Sequence, residues 1–562
     1  MTREIVSTES GNVTRTFTHA YDWLAGTYTR VGPDGTGGQN GLATFVQQDR
    51  LGRATEIRRG PSGNPVLKAT YTYYADDLVD TVTFHNGAST KYTYDHANRV
   101  TVINHKNSSA QTFLKLTYTY SNDDVPTRIV ENNGSSDTHQ VDFTYDARDR
   151  LTTEIRKTLP GNTELYNLTY AYDQRGNRTT KTDTVANRRT EYVYDLSDPT
   201  AYGSKNNRLE YYLFKNNNTN ALLSTTWYFY NTAGNVTRIV TKDNGDDTHT
   251  VTRFEYADNC EAVSHMVGET WETDGGDGDT CPDGYTVTGF ARQFRYDEAR
   301  ARYLNRELNP SNLSQVLSDT WSDCDGDEIY GDYTLSGSTA TNQRSFQPGI
   351  ATVDTWTGSG GSNTKYYHGD LIGTTRSLTA GGSPTGASVY TAFGELVSGS
   401  NHRYGYAGAW QYQAHDFPTP PNPFVHVGAR YYDSSSGRFL QRDPSGIDDD
   451  TVVYLYVGAI PTVYVDEDGY KKVKTKHGWR DSKTGRYTRA PWWRRAGKWG
   501  AKRVPVYACG SFVAYVGHKA AGKPYEDPVD IITETLENVA QATWNNLRNW
   551  WRTPPPRNRP AG

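Results

Sequence analysis

The sequence predicts an all-β chain in which short hairpins join edge to edge into one extended, coiled sheet. Three observations carry this reading. Among 562 residues, 42 are Tyr against 16 Phe and 52 are Gly against 2 Met, a balance that favours strands joined by tight turns. The pair Tyr-Asp recurs after alternating aromatic and threonine strands. No run approaches the ~18 apolar residues of a membrane-spanning helix, and the start, MTREIVSTES, has no apolar signal region. A mean hydropathy of −0.79 marks a polar chain, yet one too aromatic to stay disordered.

The repeats come first in the chain. Tyr94-Asp95, Tyr145-Asp146, Tyr172-Asp173 and Tyr194-Asp195 are joined by degenerate copies at Tyr74-Ala75 and Tyr120-Ser121, in steps of 20, 26, 25, 27 and 22 residues. Tyr296-Asp297 lies outside this run. Phe143-Thr144-Tyr145-Asp146-Ala147-Arg148-Asp149-Arg150-Leu151 shows one unit: an alternating strand, an aspartate able to bond turn N–H groups, and a second strand from Leu151. In Tyr172 to Arg178, Gly176 and Asn177 tolerate the positive φ of a hairpin turn, and Tyr230 to Val236 repeats the pattern. No single unit buries its aromatic face, so neighbours must stack.

These units resemble the YD (RHS) repeats of bacterial polymorphic toxins and Tc-toxin C components. The resemblance implies a spiral β-sheet forming a hollow or partly open cocoon over residues 1–354. Residues 355–470 resemble the RHS repeat-associated core through Tyr367-His368-Gly369-Asp370, Tyr390-Thr391-Ala392-Phe393-Gly394-Glu395 and Tyr404-Gly405-Tyr406-Ala407-Gly408. The likeness continues in Gly428-Ala429-Arg430-Tyr431-Tyr432-Asp433, Gly437-Arg438-Phe439-Leu440 and Arg442-Asp443-Pro444.

Two acid turns close the core. Asp443-Pro444-Ser445-Gly446-Ile447 is followed after 18 residues by Asp466-Glu467-Asp468-Gly469-Tyr470. Two strand-like runs between them would bring the carboxylates together. Such a pair does peptide chemistry when one member holds a shared proton and the other activates water. In the RHS family, two such turns form an aspartic autoprotease that frees the C-terminal segment. Carried over, the resemblance implies Asp443 and Asp466 as the pair, Arg442 beside the first, and cleavage after Tyr470. Ile447, Glu467 and Tyr470 depart from the family's leucine, proline and leucine, and Glu467 and Asp468 add carboxylates at the turn.

Between residues 257 and 350 an acidic Gly/Asp-rich insertion is expected. Its runs Asp274 to Asp279 and Asp323 to Glu328 read as solvated loops; neither matches an EF-hand loop, and no metal or cofactor is expected. Cys281 has two candidate partners, Cys324 and Cys260, and the sequence does not choose between them.

Charge then reverses. Residues 471–562 hold 9 Lys and 10 Arg against 6 acids, leaving 40 basic and 58 acidic residues in 1–470; seven of the 13 Trp also lie in this tail. A basic, Trp-rich variable C-terminal domain therefore begins at residue 471, with 13 basic residues and one acid between Lys471 and Arg503. Cations interleaved with Trp479, Trp492, Trp493 and Trp499 suit nucleic acid, by phosphate neutralisation and base stacking. Asp527-Pro528 caps an expected helix with an apolar stripe at Ile532, Leu536, Val539, Ala540, Leu547 and Trp550, making this domain small and α-containing. His477, Cys509, Ser511, His518, Glu526 and Asp527 are its titrating or nucleophilic groups, and none shows a diagnostic spacing.

The expected function is an RHS shell that encapsulates this toxin-type domain, expected to be of nuclease type, as cargo and releases it by self-cleavage. An acidic wall attracts a cationic cargo through many weak contacts. An immunity protein is an expected partner and the expected location is secreted or at the cell surface. The competing reading is a non-enzymatic adhesion scaffold with an inactive pair, binding carbohydrate or a cell surface.

Overall fold

The computed structural model describes residues 2–474, apart from single positions and short stretches of which the longer are 32–42, 61–66, 195–206, 273–287, 355–363, 415–423 and 444–451. The chain divides into two units, Met1–Arg489 and Ala490–Gly562. The second lies wholly outside the described residues, and with it the expected helix, Cys509 and His518. Cys260, Cys281 and the run Asp274 to Asp279 lie outside as well.

In the first unit, thirty strands among the described residues form one sheet. Each pairs antiparallel with the next in sequence, from Thr2–Thr8 to Ser383–Thr385. The all-β expectation holds: among the described residues the helical pieces are single 3₁₀ turns, Gly408–Trp410 and Val457–Ala459. No described helix is long and apolar enough to cross a membrane.

The local chemistry of the repeat is visible at each turn. Asp146 Oδ1 accepts the N–H groups of Arg148 and Arg150 at 2.9 and 3.0 Å, and Asp173 Oδ1 accepts those of Arg175 and Asn177 at 2.9 and 2.8 Å. Gly176 takes the positive φ, +99°. The preference for tyrosine over phenylalanine also has a cause. In six of the units the hydroxyl of the repeat tyrosine donates to the carbonyl of the first residue in the strand that follows the preceding turn, while at the degenerate copy Tyr74 it is the neighbouring Tyr73 that does so, to Ala54 at 2.6 Å. Tyr94 reaches Val79 at 2.9 Å, Tyr120 reaches Val100 at 2.6 Å, Tyr145 reaches Pro126 at 2.6 Å and Tyr172 reaches Leu151 at 2.8 Å. Tyr194 and Tyr230 do the same to Arg178 and Leu209 at 2.7 and 2.9 Å. One ring thus fills the aromatic face and staples two hairpins, a hydrogen bond that contributes about 1 kcal/mol.

The stretch expected as an acidic insertion carries wall strands. Val263–Glu272, Thr288–Tyr296, Arg302–Asn309, Asn312–Asp325, Glu328–Ser336 and Thr339–Gln347 continue the meander. Asp323 to Asp325 are strand rather than solvated loop, because Trp321 and Cys324 bury beside them and draw the run into the ladder; Asp323 is 3% exposed.

The sheet also curls until early strands meet late ones. Arg59, fully buried, bonds Thr44 Oγ1 at 3.0 Å and Gln347 Oε1 at 3.1 Å. Asn86 bonds Thr379 Oγ1 at 3.1 Å, the Ser108 N–H donates to the Gly382 carbonyl at 3.0 Å, and the Leu371 N–H donates to Tyr118 Oη at 3.1 Å. Residues after 388 then pack on the wall. Phe393, Tyr406, Trp410, Tyr412, Tyr432, Phe439 and Tyr456 share one buried cluster with Phe143, Leu151, Tyr166 and Tyr170. Every residue of the strands Phe424–Val427 and Arg430–Asp433 is buried.

Candidate functional site

The two acid turns meet through an arginine. The strand Arg430–Asp433 pairs with Arg438–Phe439, and the chain then returns so that the Asp443 N–H donates to the Val453 carbonyl at 3.0 Å. A final hairpin pairs Tyr464–Asp466 with Lys472–Lys474. This path delivers Asp443 Oδ2 to 3.0 Å and Asp466 Oδ2 to 2.8 Å from the same nitrogen, Arg430 Nη2. The two oxygens are therefore no farther apart than those two distances combined. The Asp466 side chain is 4% exposed and that of Asp443 15%.

The surroundings hold this geometry. Asp466 donates its N–H to Tyr412 Oη at 2.7 Å, and Tyr456 donates its hydroxyl to the same oxygen at 3.2 Å. Burial drives the Tyr412 and Tyr456 hydroxyls well above the usual tyrosine range, with the Asp466 charge adding to the effect at Tyr412. The turn beyond Asp466 interlocks with the turn before Arg430. The Ala429 N–H donates to the Asp468 carbonyl at 3.0 Å. Gly428 (φ +51°) and Gly469 (φ +76°) make this approach feasible: a Cβ on Gly469 would lie 2.4 Å from the Val427 carbonyl oxygen.

Asp443 and Asp466, predicted as a pair, are thus brought to one point. Arg442 is tied through its backbone N–H to Asn235 Oδ1 at 3.2 Å, and the cation bonded to both carboxylates is Arg430. Sequence reasoning missed that role, although Arg430 sits in the Gly428 to Asp433 run used for the resemblance. The available signal was a single basic residue at the head of the short aromatic run Arg430-Tyr431-Tyr432-Asp433, just before two acid turns. Of the added acids, Glu467 is half-buried and Asp468 exposed; Tyr470 donates its N–H to Asp468 Oδ1 at 3.1 Å. Pro444 to Ile447 and Lys471 lie outside the described residues. Asp466 is the register partner of Lys472 in the final hairpin. Among the described residues there is no group of three or more His, Cys, Asp or Glu placed to hold a metal.

Fold and site together define an all-β repeat protein whose last strands gather two aspartates on a buried arginine. No family model matches the chain and no curated protein matches it. Among solved structures, it is similar to a chain of the TcdB2-TccC3-Cdc42 crystal structure, at 15% identity over 81% of this chain and 22% of that one, with a TM-score of 0.45. It is similar also to a chain of the Photorhabdus luminescens Tc holotoxin pore carrying a TccC3 mutation, at 16% identity over 86% and 22%, TM-score 0.45. A porin-like protein from Bacteroides uniformis matches at 12% identity over 45% and 93%, TM-score 0.19. The chain spans about a fifth of the length of the first two.

Proposed function

We propose that residues 1–470 form an RHS-type wall and core that cut their own chain after Tyr470 and release the basic C-terminal domain, residues 471–562, as a toxin-type cargo. One observation carries the reading: Asp443 and Asp466 converge on Arg430 Nη2, and Asp466 is the register partner of Lys472, one residue beyond the bond to be cut. The chemistry is hydrolysis. One carboxylate takes a proton from water, whose oxygen attacks the Tyr470 carbonyl carbon; the partner carboxyl gives its proton to the Lys471 nitrogen as the C–N bond breaks. The products are a carboxyl group on Tyr470 and an amine on Lys471.

The test is a time course on freshly translated full chain. The expected result is two fragments, the smaller starting at Lys471 by N-terminal sequencing, and one intact band for Asp443→Asn and for Asp466→Asn with unfolding midpoints that show both variants folded. A wild-type chain that stays intact would sink the reading.

A further inference from the structure

Early and late strands meet without a shared ladder. Among the described residues, no strand from Leu67–Tyr73 through Thr112–Tyr120 pairs with Thr364–Gly369 or Thr375–Ala380. Single contacts join them instead, among them Asn86 on Thr379 Oγ1, Ser108 on the Gly382 carbonyl, the Lys68 N–H on Tyr366 Oη at 3.3 Å and Arg376 on Glu131 at 2.7 Å. Isolated contacts part more easily than a run of consecutive ladder bonds, so this line is where local opening starts.

Two imidazoles lie on the line. His105 Nδ1 and His368 Nδ1 are 3.2 Å apart, both residues are fully buried, and Thr90 Oγ1 stands 2.9 and 3.3 Å from the two nitrogens. The Gly369 carbonyl, an acceptor only, is 3.1 Å from His105 Nε2, so that nitrogen carries the hydrogen and Nδ1 is left as an acceptor. His368 Nε2 is 2.9 Å from Thr379 Oγ1. The rings of Phe84 and Phe113 close the site, with centroids 5.3 and 5.0 Å from that of His368. Neutral rings fit this arrangement. One added proton can be shared between the facing nitrogens, whereas a second sets N–H against N–H. Among the described residues neither ring bonds a carboxylate, so both charges are costly here.

The charged groups packed around the pair give little relief. Arg376 adds positive charge beside His105, and its own carboxylate partners are Glu131, shared with Arg156, and Asp370 at 4.0 Å. His139 faces Glu131 at 3.7 Å, and burial keeps the Tyr118 and Tyr366 hydroxyls protonated. Burial holds His105 down to about 3 and, with His105 beside it, holds His368 well below the usual histidine range; both therefore favour the closed junction above about 6.5 and oppose it below. Asp370 has the other sign: burial lifts it to about 6, so it favours the closed junction as pH falls. Opening in mild acid thus takes up two protons on the histidines and releases one from Asp370, a net uptake of one.

We infer that His105 and His368 form an acid latch: below about pH 6 the junction between residues 67–120 and 364–382 opens while the rest of the wall stays paired. The faces buried between these strands are then reached by solvent, whether or not the chain is cut after Tyr470.

The experiment is hydrogen–deuterium exchange, read by mass spectrometry on the purified protein at about pH 6.5 and about pH 5 and corrected for the intrinsic pH dependence of amide exchange. Peptides covering 89–106 and 364–380 are expected to lose protection on the order of thirtyfold, the effect of one net proton over about 1.5 pH units, while peptides covering 151–172 keep theirs. His368→Gln reaches Thr379 without titrating and leaves one uptake against one release. Its loss at the junction is therefore expected to be about threefold or less. Unchanged protection at the wild-type junction, a loss spread equally over 151–172, or a loss in His368→Gln equal to that of the wild type overturns the inference. If thermal melting shows His368→Gln unfolded at about pH 6.5, His105→Gln is read in the same way. If both are unfolded, the wild-type comparison decides, a loss confined to the junction supporting the latch and a uniform or absent loss overturning it.

Discussion

The guanidinium of Arg150 covers the ring of Tyr172 one hairpin ahead, with Cζ 4.7 Å from the centroid, while its Nε and Nη2 hold Asp146 in its own turn at 2.7 and 2.6 Å. Arg99 stands in the same relation to Asp95 and Tyr120, and Arg53 to Asp49 and Tyr73. The aspartate orders the turn, the arginine four residues on neutralises it, and the next tyrosine is clamped between that arginine and the preceding strand. Cohesion of the wall is therefore built into a spacing of a few residues, repeated.

Tyr172→Phe is expected to destabilise the wall by about 1 kcal/mol, since it removes the hydroxyl bonded to the Leu151 carbonyl and little else. A double-mutant cycle with Arg150→Met, read from denaturant unfolding, should show a coupling of about 0.5–1 kcal/mol between the two residues. Strict additivity would mean that the ring and the guanidinium merely adjoin.

Glu131 joins wall strands to a strand more than two hundred residues later. Burial pushes its carboxyl up, but Arg376 and Arg156, bonded at 2.7 and 2.6 Å, outweigh that and hold it well below the usual carboxylate range. The lowered value means that its contribution is present above the ordinary 4.5 of a glutamate and is lost as pH falls below it. Glu131→Gln should cost about 3–5 kcal/mol at neutral pH, because two buried cations lose their partner. The cost should shrink as the urea midpoint is measured at progressively lower pH.

His105 and His368 face each other where early and late strands meet, with Nδ1 atoms 3.2 Å apart and Thr90 Oγ1 within 2.9 and 3.3 Å of them. Burial pushes His105 down to about 3, with Arg376 adding to the effect, and lowers His368 as well. Both are neutral when folded and take up protons when unfolded, so the contribution of this pair is fully present above about 6.5 and is lost as pH falls below it. The thermal midpoint of the wild type should drop between about pH 7 and about pH 5, and the drop should be smaller in His368→Gln. Equal drops would remove this pair from the acid response.

Glu154 has the opposite sign. Burial lifts it to about 7, while its oxygens accept the Tyr166 hydroxyl at 2.7 Å and the Ala392 N–H at 2.9 Å. A raised carboxyl favours the folded state at low pH, and that advantage is lost as pH rises through about 7. Glu154→Gln should flatten the fall in thermal midpoint between about pH 4.5 and about pH 7, since glutamine accepts from Ala392 without bearing a charge. A fall as steep as that of the wild type would contradict this account.

Much of the wall was legible because its chemistry is short-ranged. Asp146 bonds atoms two and four residues away, Gly176 serves its own turn, and alternation assigns the faces, so a window of about ten residues contains the cause. The acidic stretch near Asp323 misled because its composition resembles loop, whereas Trp321 and Cys324 decide its fate by burial against strands the window does not include. The two aspartates of the candidate site could be proposed as a pair from their spacing. That they meet on Arg430 depended on a strand thirteen residues upstream of Asp443 and on a hairpin docking beneath Tyr412.

By itself, then, the sequence determined hairpins, turn chemistry and the order of strands along the sheet, since each follows from hydrogen bonds between residues close in the chain. The tertiary structure decided which strands meet when the sheet curls, the facing of His105 and His368, and the cation between Asp443 and Asp466. Those contacts join residues from 13 to more than 260 positions apart. Their existence depends on the accumulated twist of many strand pairs, a sum that no local pattern records.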